Sequence, residues 1–346
     1  PGRRMPPKKD AKKKAGAEDE INYTDVVLKN YKKACTSIGL TPHEDLMTAL
    51  VPEEDDGTGI GNLCFDKDLG PGGIRAFCAA VLGRGASMEH HAYKSLVSLR
   101  LWATGIEDAG MGSLAQLLLA GPAFDVKLTH LEVMDDAIGP AGCRAIGDAL
   151  MLGGNATLMT LRLDLNKGIL DAGAIELCKG LRTNRTLSTL TLSFCGITEA
   201  AVPALAEVLT SPFSNLTELD LRGNSLKSEG LLALSESLMG NTKLETLHLA
   251  DNGIGASTEE VNRTAIEALG TVLAAPAETS KVCRVDMEMN TIAEDDAVVL
   301  ASFLGPENTK VLSFKVDSSL PGELFDKLFR SDAGKKKGKG KKKKGK

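Results

Sequence analysis

Leu216-Thr217-Glu218-Leu219-Asp220-Leu221-Arg222-Gly223-Asn224-Ser225-Leu226 is followed, 28 residues on, by Leu244-Glu245-Thr246-Leu247-His248-Leu249-Ala250-Asp251-Asn252-Gly253-Ile254. Three leucines, an asparagine and an aliphatic residue fall at the same offsets in both. The same triplet recurs outward in both directions. Upstream stand Leu96, Leu99 and Leu101; Leu128, Leu131 and Val133; Leu158, Leu161 and Leu163; and Leu187, Leu190 and Leu192. Downstream stand Val282, Val285 and Met287, then Val311, Phe314 and Val316 as a closing copy. Apart from one longer step after Leu244, the copies are 28–32 residues apart. Self-similarity at this period marks a solenoid, in which each unit buries its apolar side only against its neighbours.

The alternation within each triplet predicts a short strand. A small or polar residue follows three places on, at Thr104, Asp136, Asn166, Cys195, Asn224, Asn252 and Asn290. Its expected work is to bond backbone groups that a sharp bend leaves unpaired. Helical spacing follows, as in Leu231, Leu234 and Leu238, or Val202, Leu205 and Leu209. Gly110, Gly142, Gly173 and Gly230 mark tight packing at the helix starts. The unit is therefore strand–turn–helix, and the fold class is an α/β solenoid with parallel strands on the inner edge and helices on the outer one.

The organisation expected from composition is fourfold: a basic tail over 1–20, a helical cap over 21–59, the repeats with a C-terminal cap over 60–330, and a Lys-rich tail over 331–346. In the cap, a helix beginning near Asn22 with Thr24 or Asp25 as N-cap should end near Gly39. Thr41-Pro42 should start a second, with Leu46, Met47 and Leu50 on its apolar side. Leu63 and Phe65 open a degenerate first repeat, and 83–93 is an irregular insertion. The turn at Asp164–Ile169 is one residue longer than its neighbours. About ten extra residues around 256–264 suggest a loop on a partner-binding face.

The net charge of −5 averages over unlike parts. Residues 335–346 hold nine lysines, residues 1–14 hold seven basic residues and one Asp, and the body between has 25 basic against 45 acidic residues. Like-charge blocks of this kind act as interaction arms. No apolar run approaches the ~18–20 residues of a membrane helix. The N-terminal stretch lacks the apolar core of a secretory signal. Seven cysteines without a CxxC pair suggest buried free thiols in a reducing, cytoplasmic setting.

The pattern LxxLxLxxNxL followed by GxxxLxxxL, over roughly residues 60–320, resembles the ribonuclease-inhibitor class of leucine-rich repeats. The resemblance implies a curved horseshoe with the sheet concave and the helices convex. Tyr31, Ala34-Cys35, Gly39, Pro42, Leu46 and Leu50 resemble the lead-in of leucine-rich-repeat proteins of cilia and flagella, including a subunit of the dynein regulatory complex. The Lys-rich ends are similar to those of axonemal proteins. This resemblance implies a structural or docking component that contacts microtubule-associated complexes.

Residues between the leucines should point out of the concave face. One row is Arg100, Glu132, Arg162, Thr191, Asp220, His248 and Asp286; the next is Trp102, Met134, Asp164, Ser193, Arg222, Ala250 and Glu288. The single Trp beside Met134, flanked by Arg100 and Arg162, has the composition of a binding hot spot. The alternative is that the cap or the insertion folds over Trp102. Asp220, Arg222 and His248 give the C-terminal half mixed charge, suited to a polar protein partner or simply to solvent. Lys335, Lys336, Lys337, Lys341, Lys342, Lys343 and Lys344 form an electrostatic arm. Without aromatics, nucleic acid is a poor match for it; an acidic polymer such as the microtubule surface suits it better, through salt-sensitive attraction.

Signals for catalysis are weak. His43, His90, His91, His130 and His248 form no metal-binding spacing, and no cofactor is implied. Gly57-Thr58-Gly59-Ile60-Gly61 lacks the Lys of a phosphate loop. GTPase activators of the Ran type use the same repeat and form the alternative function, but resemblance to them would imply an acidic tail where this chain has lysines. The expectation is a non-catalytic protein-interaction scaffold.

Overall fold

The computed structural model describes residues 21–54, 56–84 and 91–331. Among these, nine strands form one parallel sheet in chain order. They are β1 (Asn62–Phe65), β2 (Ser98–Trp102), β3 (His130–Met134), β4 (Thr160–Arg162), β5 (Thr189–Thr191), β6 (Glu218–Asp220), β7 (Thr246–His248), β8 (Arg284–Asp286) and β9 (Ser313–Lys315). The helices between them are α3 (Gly70–Val81), α4 (Glu107–Ala120), α5 (Pro140–Leu150), α6 (Leu170–Leu181), α7 (Val202–Thr210), α8 (Lys227–Leu238), α9 (Glu259–Ala274) and α10 (Glu294–Phe303). Each packs on the next, so strands and helices form two layers of one solenoid.

The register explains why the leucines recur. Leu99, Leu131, Leu161, Leu190, Leu219 and Leu247 pair directly from strand to strand and are fully buried beneath the helices. Truncating one such leucine to alanine typically costs about 2–5 kcal/mol. The outer leucines of each triplet, such as Leu158 and Leu163, flank the paired segment and line the bends.

The turn residues do more than close their own bend. Asn224 Oδ1 accepts from the N–H groups of Cys195 (3.1 Å) and Ile197 (3.0 Å) in the preceding repeat. Its Nδ2 donates to Leu192 O (2.9 Å) and Leu221 O (2.8 Å). Asn166 and Asn290 repeat the pattern. A second ladder runs behind the strands, where Asn155, Asn184, Asn241 and Asn308 donate to Leu118, Leu150, Leu209 and Leu273 carbonyls respectively. Both satisfy backbone groups that irregular bends leave without sheet or helix partners.

Several expectations are corrected. Helix α1 (Tyr23–Ser37) is capped by Asn22, not by Thr24 or Asp25, because Asn22 Oδ1 accepts the free Asp25 N–H at 2.9 Å. Helix α2 (Glu44–Ala49) starts after His43, leaving Thr41-Pro42 in the approach. The extra sequence after Ile254 is not an open loop. Most of it forms the first turns of α9, and the buried Asn262 ties it down through Gly255 O (2.9 Å) and Ser228 Oγ (2.7 Å). Cys35, Cys78, Cys143, Cys178 and Cys195 are buried, but Cys64 is exposed and Cys283 half-buried. Burial raises the Cys143 and Cys178 thiols to about 12.

Both edges of the sheet are covered. At the N-terminal edge α2 packs on β1, the His43 ring meeting Phe65 edge-on at 5.3 Å, while α1 packs on α3. The 57–61 stretch braces this end: Gly57 O accepts from Tyr23 N, and Ile60 N donates to the Tyr93 hydroxyl at 2.5 Å. At the other edge Arg330, after helix α11 (Gly322–Leu328), pairs antiparallel with Phe314 in β9. Unpaired strand edges invite association with other chains, so such covers favour a discrete particle.

Candidate functional site

The strand register assembles the first predicted row: Arg100 opposite Glu132, then Arg162, Thr191, Asp220, His248 and Asp286 in turn. Sequence reasoning missed the row's two ends, Cys64 beside Arg100 and Lys315 beside Asp286. Both were within reach of the repeat period, but they sit in the degenerate first and last copies.

Trp102 is 57% exposed and pairs in register with Met134. Neither the cap nor the described part of the insertion covers it; residues 85–90, including His90, lie outside the described residues. Beside it, Glu132 lies between Arg100 (3.4 Å) and Arg162 (3.6 Å). One carboxylate thus engages two guanidinium groups in the row next to the Trp–Met pair.

Beyond β4 the face changes. Thr191, Asp220 and Asp286 of the first row are buried, as are Asp164 and Ser193 of the second, although all lie on the outward side of the sheet. They bond to one another and to the backbone. Asp164 accepts from Ser193 N (2.7 Å) and Thr191 Oγ1 (2.8 Å). Burial raises its pKa, and these bonds do not fully offset it. Asp220 is gripped by Arg222 through Nε (3.0 Å) and Nη2 (2.5 Å). Burial pushes Asp220 up, yet Arg222 outweighs it and the net shift is downward. Asp286 lies 3.3 Å from Lys315 Nζ and 3.8 Å from His248 Nδ1. Burial again opposes ionisation, but His248, the Glu288 N–H and Lys315 bring its pKa down to about 2. Asp220 is therefore internal to a network and His248 half-buried beside it, whereas the sequence pattern predicts mixed charge facing a polar partner or solvent. Arg222 remains partly exposed.

A groove of about 670 Å³ opens over this half, from Met134 and Arg162 to Val316 and Phe325. Its rim carries Leu165, Phe194 and Met289, which no reading of the strand rows singled out. They occupy the residue just after each outward-facing second-row position. Among the described residues no group of three His, Cys, Asp or Glu side chains is placed to hold a metal ion, and no helix is long and apolar enough to cross a membrane. The Lys335–Lys344 arm lies outside the described residues.

The family model described as Leucine Rich repeat matches residues 154–178, 214–235 and 240–257. With the stacked parallel strands, that settles the architecture. The chain carries leucine-rich repeats and has the leucine-rich-repeat fold. It is 30% identical over 190 residues to Ribonuclease inhibitor from Sus scrofa, covering 55% of this chain and 39% of that protein. It is 35% identical over 133 residues to NACHT, LRR and PYD domains-containing protein 14 from Mus musculus, covering 38% of this chain and 13% of that one. The matches thus span well under half the length of these curated relatives. Among solved structures it is similar to the complex of Rad7 and Elc1 in yeast, with a TM-score of 0.38 and 15% identity over 86% of this chain and 88% of that one.

Proposed function

We propose that this leucine-rich-repeat protein is a non-catalytic scaffold that docks a protein partner on the N-terminal half of its concave face. The observation that carries the reading is Trp102, more than half exposed, in register with Met134 and next to the row of Arg100, Glu132 and Arg162. An exposed large aromatic with charged neighbours is the usual core of a binding hot spot. The face is an open sheet, which suits holding a partner better than excluding water around a reacting group. On the ciliary resemblance of the cap and the Lys-rich ends, the proposed setting is an axonemal complex. There Lys335–Lys337 and Lys341–Lys344 would add salt-sensitive attraction to the acidic microtubule surface.

Affinity capture from the native cell, with the parent chain and with Trp102→Ala, tests this. The variant should keep its circular dichroism and melting temperature and lose the main partner by at least about tenfold. An unchanged partner set ends the hot-spot reading. Recovery of nuclear transport factors alone would favour a Ran-type GTPase activator instead, checked by single-turnover GTP hydrolysis. Microtubule cosedimentation that is the same with and without residues 335–346 removes the proposed role of the tail.

A further inference from the structure

The geometry points to a second docking site on the C-terminal half of the face, a groove that takes a basic protein segment carrying a bulky apolar side chain and that shares Met134 and Arg162 at its N-terminal end with the first site. This deepens the reading of the concave face as a docking surface, but it does not depend on Trp102.

The first observation is conformational. The residue after each second-row position has a left-handed backbone in every repeat from β2 to β8: Ala103, Asp135, Leu165, Phe194, Gly223, Asp251 and Met289. Glycine, asparagine or aspartate suits that conformation, and bulky side chains are disfavoured there. This chain nevertheless places Leu, Phe and Met at three of the seven. Phe194 and Met289 are also 45% and 67% exposed, so core packing does not explain them. Residues kept in costly conformations with their apolar surface in water are characteristic of functional sites.

The second observation is shape. The Phe194 ring lies across Gly223, where a Cβ would come within 2.1 Å of it. The ring is thus laid along the rim over the next repeat, and Met289 lines the same groove with Phe325 of α11. At about 670 Å³ the groove suits a short segment rather than a whole globular surface.

The third observation is charge. Five carboxylates line the groove, Asp164, Asp251, Asp286, Glu288 and Asp317, against Arg162 and Arg222. Arg222 is already engaged by Asp220, and Asp286 and Glu288 by Lys315 (3.3 and 3.9 Å), which leaves Asp251 and Asp317 without an ion pair among the described residues. A polycation without apolar groups would leave Phe194 and Met289 in water. An anionic apolar ligand would meet carboxylates. A cationic segment with a bulky apolar residue satisfies both halves of the lining.

The test is fluorescence anisotropy of the full chain with a labelled nonapeptide of alternating lysine and glycine around a central Phe-Leu pair. Three findings are expected. The parent binds this peptide at least tenfold more tightly than one with glycines in place of the Phe-Leu pair. It does not bind the version with glutamates for lysines. The double variant Phe194→Gly, Met289→Gly, which suits the left-handed backbone and keeps its melting temperature, loses at least tenfold, while Trp102→Ala binds as the parent does. Equal binding by the double variant, or by the glycine-substituted peptide, overturns the proposal. So does a peptide of residues 335–346 that competes equally well, which would make the chain's own tail the occupant. A dimer in sedimentation equilibrium that the double variant abolishes would assign the face to a second copy instead. Loss of peptide binding in Trp102→Ala would overturn the independence of the two sites. Failure of partner capture by Trp102→Ala with peptide binding intact bears only on the hot-spot reading.

Discussion

From β2 to β4 the first-row positions stand in or near solvent, with Arg100 exposed and Glu132 and Arg162 half-buried; from β5 to β8 the same positions hold Thr191, Asp220 and Asp286, all buried, and His248, half-buried. The ladder at the turns also changes chemistry, one repeat earlier. After β2 and β3 it is built from Thr104 and Asp136, and from β4 onward from Asn166, Asn224, Asn252 and Asn290, with Cys195 after β5. Asp136 accepts from Thr104 N (2.7 Å) and Thr104 Oγ1 (2.8 Å), but a carboxylate has nothing to donate to the neighbouring carbonyls, and burial raises its pKa. Asn224 both accepts and donates. The two halves therefore share a backbone while differing in internal cost. The Thr104 and Asp136 repeats tolerate a less satisfied ladder, and the N-terminal half displays large side chains. The C-terminal half is knitted by short polar ones and displays its apolar groups only at the rim.

The largest expected effect comes from exchanging the two ladder chemistries. Asn224→Asp should destabilise by about 3 kcal/mol at neutral pH, since it buries a charge and leaves the Leu192 and Leu221 carbonyls without their amide donor. Asp136→Asn should go the other way, by roughly 1 kcal/mol, by removing a buried charge and supplying a donor. Denaturant unfolding of both reads this directly. If the two changes shift stability in the same direction, the contrast between the halves is not a matter of ladder chemistry.

A smaller effect, resolved by pH, sharpens the contrast on the face itself. The carboxyl of Asp286 is depressed to about 2 in the folded chain from an ordinary value of 3.8. Its ion pairs thus stabilise the fold above pH ~4, and that stabilisation disappears as pH falls toward ~2, about 2 kcal/mol in all. Asp164 and Asp136 have raised values, so their burial penalty at neutral pH is relieved as pH falls through those raised values. Asp286→Asn should therefore be less stable than the parent by about 2 kcal/mol at pH 7 and indistinguishable near pH 2. A difference that persists at pH 2 would mean that packing, not charge, is what the substitution removes.

The repeat made most of the fold legible. Stacked leucines need one offset each, so the period alone placed the core and the strand order. It also placed the turn residues, although it did not reveal that Asn224 serves the repeat before its own. The cap of α1 was misplaced because Asn22, Thr24 and Asp25 are all competent caps, and tertiary contacts, such as Tyr23 N on Gly57 O, decide among them. On the face, alternation correctly gave direction but not exposure. Asp220 points outward and is still buried, because Arg222 two residues on folds over it. The rim of Leu165, Phe194 and Met289 was invisible for a different reason: left-handed geometry ordinarily announces itself through glycine, and here it is occupied by residues that imitate core.

The smallest effect is the one that separates display from structure. Trp102→Ala should change unfolding free energy by no more than about 0.5 kcal/mol, since the ring is mostly in water and makes no hydrogen bond among the described contacts. Phe194→Gly should be just as mild, because relief of the left-handed backbone offsets the lost contact with Gly223. Gly223→Ala is the informative control. Its new Cβ would push the Phe194 ring off the rim at a position with φ +66, so stability should fall by about 1 kcal/mol. In the Phe194→Gly background that cost should shrink to the backbone strain alone. If the cost is the same in both backgrounds, the Phe194 ring is not held against Gly223, and the rim is not the pre-set surface that the C-terminal groove requires.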